Sequence, residues 1–230
     1  MYSSVGHGGA SGYLAILALL SFPRETSIAG ALTLNILVAS IAFVAFRNAG
    51  HFQWRLTWPF ILGSVPGAYF GGAVQLSPSL YSFLLSGALG LAALRMWIEP
   101  TQAHDGPVRR IPIAAAVLIG TVIGLLSGMI GIGGGVFLSP LLLLWGRASA
   151  KQVSATSALF ILVNSIAALA GHLPSLRAAS ALWTPYTVSA FMGGWLGSRL
   201  GSGHLSNTAI RRVLGTVLWL ASFKLLYTAL

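Results

Sequence analysis

The chain is a series of apolar stretches separated by short polar breaks, and the stretches come in two lengths. Seven are long, at residues 27–46, 56–74, 80–98, 113–130, 153–170, 182–200 and 210–230. A helix rises 1.5 Å per residue, so each comes close to the ~20 apolar residues that cross a ~30 Å hydrocarbon core. Two are half as long, at residues 13–22 and 136–145. Each short run follows a glycine-rich stretch: Gly6-His7-Gly8-Gly9-Ala10 before the first, Gly131-Ile132-Gly133-Gly134-Gly135 before the second. The pattern predicts nine helical segments, two of which reach only about halfway across a bilayer.

The glycine stretches stand 125 residues apart, and the echo continues downstream at the same spacing. Ile36-Leu37-Val38-Ala39-Ser40-Ile41-Ala42 returns as Ile161-Leu162-Val163-Asn164-Ser165-Ile166-Ala167, and Trp58 returns as Trp183. The chain therefore divides into a first repeat at 1–98, a linker at 99–112 and a second repeat at 113–230. The linker is the most polar stretch and carries Pro100, Gly106 and Pro107. The first repeat lacks the helix that precedes the glycine stretch of the second.

Composition narrows the class. The chain has 230 residues, of which 56% are hydrophobic and 7% charged. A soluble domain carries about 25% charged residues, so this chain cannot cover a water-facing surface and reads as an all-α polytopic membrane protein. The net charge of +10 comes from basic residues scattered between apolar runs. That distribution suits loops that anchor helices and not a phosphate-tracking patch, so nucleic acid is not an expected partner; the lipid bilayer is. Absence of cysteine excludes disulfides and thiolate metal sites.

Charge also orients the chain. If all nine segments cross, ten of the thirteen Lys and Arg fall on the side of the N-terminus and three, Arg24, Arg177 and Lys224, on the other. If the two short runs instead turn back, the split is seven to six. Positive residues gather on the cytoplasmic side, so the reading is nine crossings, a cytoplasmic N-terminus and two repeats of inverted topology. The two glycine loops then dip in from opposite faces, and the N-termini of two half-length helices converge near the midplane.

Such a convergence has a chemistry. Helix N-termini present unsatisfied N–H groups and partial positive charge, and glycine lets the backbone approach a bound group. Two of them aimed at one point make an anion site. The candidate residues are Gly6, His7, Gly8 and Gly9 in the first loop and Gly131, Gly133, Gly134 and Gly135 in the second. Asn35, Thr156, Ser157 and Asn164, on the helices that follow, could donate to an oxyanion; Ser40 and Ser165 accompany them. His7 could bind the anion or titrate. The three acids, Glu25, Glu99 and Asp105, all fall in breaks between runs, which disfavours cation transport and carboxylate proton relays. No ligand-like His spacing, nucleotide motif or acid–base pair is present, so no metal, cofactor or enzymatic activity is expected. Glycines spaced by four, at 63/67/71, 120/124/128 and 193/197/201, read as helix-packing faces.

Gly128-Met129-Ile130-Gly131-Ile132-Gly133-Gly134-Gly135-Val136-Phe137-Leu138-Ser139-Pro140, followed by Ala155-Thr156-Ser157, resembles the TauE/SafE family of sulfite exporters. The opening residues Tyr2 to Ala15 look like the first-repeat motif of one branch. The resemblance implies an inner-membrane transporter for small sulfur-containing anions such as sulfite, thiosulfate or organosulfonates, with its site near the two glycine loops. Both glycine motifs usually follow a full span in that family, and here only the second does. An upstream helix, or a neighbouring subunit in a homodimer, would have to cover the first loop. An anion channel of the same architecture and a non-transporting accessory subunit are the alternative readings.

Overall fold

The computed structural model describes residues 9–97, 111–144, 148–172 and 207–229. Among these, every regular element is an α-helix: α1 Ala10–Leu19, α2 Arg24–Asn48, α3 Trp54–Ala73, α4 Pro78–Trp97, α5 Ile113–Ile130, α6 Gly135–Leu144, α7 Ala150–Gly171 and α8 Asn207–Ala229. Three are long and apolar enough to cross a bilayer, over Arg24–Asn48, Ile113–Ile130 and Lys151–Gly171. Gly6, His7, Gly8, the expected span at 182–200 and nearly all of the linker at 99–112 lie outside the described residues.

Both half-length helices are ten residues long, and their bounds differ by the sequence repeat of 125. Each is preceded by a glycine in the left-handed region, Gly9 at φ 81° and Gly134 at φ 83°. The first starts three residues earlier than its apolar run, because the backbone turn at Gly9 sets the helix start and Ser11 and Gly12 continue it. It also stops earlier: Leu20 and Ser21 close a turn onto Ile16 O and Ala18 O, although the apolar run goes on to Phe22. Elsewhere the ends follow local chemistry. Ser149 and Gln152 form a reciprocal capping box at the start of α7. Gly131, at φ 78°, ends α5 by returning its N–H to Ser127 O at 2.9 Å.

The helices pack through small residues. Gly63, Gly67 and Gly71 of α3 lie against the α5 backbone around Val117, Thr121 and Leu125, and Gly120, Gly124 and Gly128 of α5 lie against Phe60, Ser64 and Ala68 of α3. The numbering rises together on both helices, so α3 and α5 run parallel. Gly72 meets Ala168 and Gly171 meets Tyr69, which sets the end of α7 beside the end of α3. His172, just past α7, donates from Nε2 to Gly128 O at 3.0 Å. Helices α3, α5 and α7 thus end at the same level, and α6 runs counter to α7, since Gly135 meets Ile161 and Ser139 meets Ser157.

On that same level the chain ties several helix ends together. Arg24, first in α2, donates to Leu76 O at 2.7 Å. Lys224 of α8 donates to the last carbonyls of α1, Ala18 O at 2.9 Å and Leu19 O at 2.7 Å, and to Ser21 Oγ at 2.8 Å. A cation there complements the negative end of the helix dipole. Helices α4 and α8 are clasped by Ser86 and Ser222, each hydroxyl donating to the other's carbonyl at 2.9 Å. The interior is apolar, with Leu14, Leu32, Leu85, Ile130 and Ile132 in one cluster and Phe60, Leu138, Leu142 and Phe160 in another. The outward faces are apolar as well: Ile41 is 70% exposed, Leu118 65% and Phe70 63%. Lipid solvates such a surface and water does not, and the protein is membrane-embedded.

Candidate functional site

The second glycine loop lies halfway along the long helices. Asn35 is eleven residues from the start of α2 and thirteen from its end, and its Nδ2 donates to Ile132 O at 3.2 Å. Ile161 is eleven residues into α7 and ten from its end, and it packs on Gly133 and Gly135. At 1.5 Å per residue, the loop sits about 15 Å below either end of α7. The short helix therefore begins at mid-height, as a ten-residue helix inside a spanning bundle must.

Backbone conformation explains the glycines. Gly131, Gly133 and Gly134 have φ of 78°, 78° and 83°, where a side chain costs about 1–2 kcal/mol. A Cβ at Gly133 would lie 2.8 Å from both Asn35 Nδ2 and Ser165 Oγ, and one at Gly134 would lie 2.7 Å from the Phe160 ring. Two polar groups from α2 and α7 therefore converge on the bare Gly133 backbone. The first hydrogen bonds onto α6 run from Phe137 N and Leu138 N to Gly134 O, both at 3.1 Å. The amides of Gly135 and Val136 precede these and belong to the free first turn of the helix.

The polar side chains separate into two sets. Thr156 shares a hydrogen bond with Thr57 of α3 at 3.1 Å, and Ser157 shares one with Ser139 of α6 at 2.7 Å. Both join helices. Asn35 holds the loop through one N–H. The second set is buried and, among the described residues, unpartnered: Asn164 Nδ2 and Oδ1, Ser165 Oγ, Asn35 Oδ1, Ser64 Oγ and Ser11 Oγ. Asn164 and Ser165 are fully buried. Three and four residues along a helix from Ile161, they lie on the side of α7 that carries the loop contacts. A buried polar atom without a partner costs about 1–3 kcal/mol, so these groups are not there for stability.

Of the first-loop candidates, Gly9 is described. It precedes α1 with the backbone that Gly134 gives α6, and the atoms nearest a Cβ there belong to Tyr13, at 3.1 Å. Ser11, in the first turn of α1, has no counterpart among the residues singled out by sequence; its apolar neighbours hide it. Ser165 is the better-placed hydroxyl on α7, and Ser40 turns back onto Ile36 O at 2.6 Å in its own helix. Among the described residues no cluster of His, Asp and Glu could hold a metal.

The arrangement brings uncharged backbone, amide and hydroxyl groups together at the centre of a membrane-embedded bundle. A family model for the sulfite exporter TauE/SafE family matches residues 1–225. A protein of Sinorhizobium fredii described as probable membrane transporter protein y4hK is 34% identical over 98% of this chain and 93% of its own length. The probable membrane transporter protein YdhB of Bacillus subtilis is 25% identical over 85% of this chain and 82% of its own. No solved structure matches the chain.

Proposed function

Because the chain belongs to the sulfite exporter TauE/SafE family and is a membrane transporter by that membership, we propose that it carries small sulfur-containing anions across the inner membrane. Sulfite, thiosulfate and organosulfonates are the substrate class. The carrying observation is the convergence at Gly133, where the bonded amide of Asn35 from α2 and the Ser165 hydroxyl of α7, which has no partner among the described residues, meet a left-handed backbone at mid-height. The anion is held there by the free amides at the start of α6, by Asn164 and by Ser165, with Asn35 fixing the loop. Gly6, His7, Gly8 and Gly9 supply the opposing half of the site.

Nine crossings and inverted repeats fit the helix directions. Helices α5 and α7 run parallel, so the short helix between them must return the chain to the side from which α5 began. Had it turned back halfway, α5 and α7 would run antiparallel. Helix α1 ends at the level where α3, α5 and α7 end, whereas α6 runs away from it. Half-helices of opposite direction are what two inverted repeats require. Alternating access then comes from one repeat moving against the other, with the N-terminus cytoplasmic.

The test is counterflow of radiolabelled sulfite and thiosulfate in proteoliposomes. A carrier gives saturable uptake that unlabelled anion on the far side accelerates. Uptake that rises linearly with concentration and ignores the far side makes the protein a channel. No uptake of either anion by monodisperse protein contradicts the substrate class.

A further inference from the structure

A cavity of about 810 Å³ opens where α1, α3, α7 and α8 end and α2 and α4 begin. The chain has only three acidic residues and thirteen Lys and Arg, yet this one cavity gathers Arg24, Glu25, His172 and Lys224. Their roles differ. Lys224 spends its three N–H groups on Ala18 O, Leu19 O and Ser21 Oγ, so it caps α1. Burial holds His172 below its ordinary value of 6.5, against a smaller opposing effect of its bond to Gly128 O, so it is neutral at pH 7. Arg24 is less committed. Among the described residues its guanidinium donates to Leu76 O alone, out of five N–H groups, and it lies 4.6 Å over the Tyr81 ring.

Tyr81 supplies the second observation. It lines the cavity, is 6% exposed, and its hydroxyl is buried without a hydrogen-bond partner among the described residues. A buried phenol normally finds one. The guanidinium over the ring and the phenolic O–H of the same residue are both donors, and what both can donate to is an oxyanion. Glu25 opposes this, but with Arg24 and Lys224 present the cavity remains net positive. Its inner wall includes Ile28, whose Cγ2 lies 3.0 Å from where a Cβ at Gly131 would be. Ile28 thus lies between the cavity and the first glycine of the second loop.

We propose that this cavity is a second oxyanion-binding site, distinct from the glycine-loop site, in which Arg24 and the Tyr81 hydroxyl donate to the anion. It is the last station before the loop on the side opposite the N-terminus, and Ile28 is the barrier between the two. The identity of the cargo rests on the reading above; the donor pair does not. A free anion and the phosphate of an anionic lipid share the recognised chemistry.

Equilibrium binding of radiolabelled sulfite to the full chain tests the site, in nanodiscs of zwitterionic lipid with and without phosphatidylglycerol. Wild type should hold two sulfites per chain. Tyr81→Phe, which removes only an unpartnered hydroxyl, should weaken one of them about tenfold and spare the other. If phosphatidylglycerol competes for the Tyr81-dependent site, the site stands and its resident is a lipid headgroup; without competition it stands as a site for the free anion. Equal binding by wild type and Tyr81→Phe, in both affinity and number, overturns it. Counterflow that is intact while binding ignores Tyr81 removes this site and leaves the transporter. Tyr81-dependent binding without flux does the reverse.

Discussion

Two groups of glycines do opposite work in this molecule. Along α3 and α5, Gly63, Gly67, Gly71, Gly120, Gly124 and Gly128 are ordinary helical residues whose missing side chains let two backbones touch. In the loop before α6, Gly131, Gly133 and Gly134 are left-handed and stand beside amides and hydroxyls. The first group is surrounded by carbonyls already bonded within helices. The second lies beside polar atoms of which several, Ser165 Oγ and Asn35 Oδ1 among them, have no partner among the described residues. Glycine content therefore locates no site by itself. What separates scaffold from site is backbone sign together with the unpartnered groups nearby.

The comparison can be broken most severely in the packing seam. Gly124→Leu would drive a side chain into the Ser64 backbone, whose Cα would lie 2.7 Å from the new Cβ. Backbone cannot swing aside as a side chain can, so the cost should exceed the ~3 kcal/mol usual for overpacked cores. The expected outcome is loss of monodisperse protein by size exclusion. Gly134→Ala should cost less, about 1–3 kcal/mol, from the left-handed backbone and the Phe160 contact. Its melting temperature should fall by several degrees, and Phe160→Leu in the same chain should restore part of it. Lys224→Met leaves the end of α1 uncapped and should cost about 1–2 kcal/mol, read again as a melting shift. Asn164→Leu should cost nothing or even stabilise, because it replaces two unpartnered polar atoms by apolar ones. A large destabilisation by that last change would mean Asn164 is scaffold after all.

Much of this division was legible in the sequence, for identifiable reasons. Repetition at 125 residues and the halved apolar runs exposed the glycine loops and the two short helices, because length and spacing need no tertiary knowledge. The four-residue glycine spacing marked packing faces, but not that α3 and α5 were partners, since nothing local names the other helix. Thr156 and Ser157, candidate donors to an oxyanion, each share a hydroxyl bond with another helix, to Thr57 and Ser139. Only the fold brings Thr57 to Thr156. Arg24, Tyr81 and Lys224 went unrecognised for the same reason: Lys224 reaches Ser21 across 203 positions of chain. A signal existed, since Lys224 is the one charged residue in 213–230 and asks what it is paired with.

The central claim is that unpartnered groups at mid-height hold the anion, and Ser165→Ala tests it most directly. The change removes one buried hydroxyl that has no partner among the described residues, so the melting temperature should stay at the wild-type value. Saturable sulfite or thiosulfate flux in proteoliposomes should fall about tenfold, the size of one lost hydrogen bond to a charged group. Unchanged flux with unchanged stability would contradict the account and move the anion away from the second glycine loop.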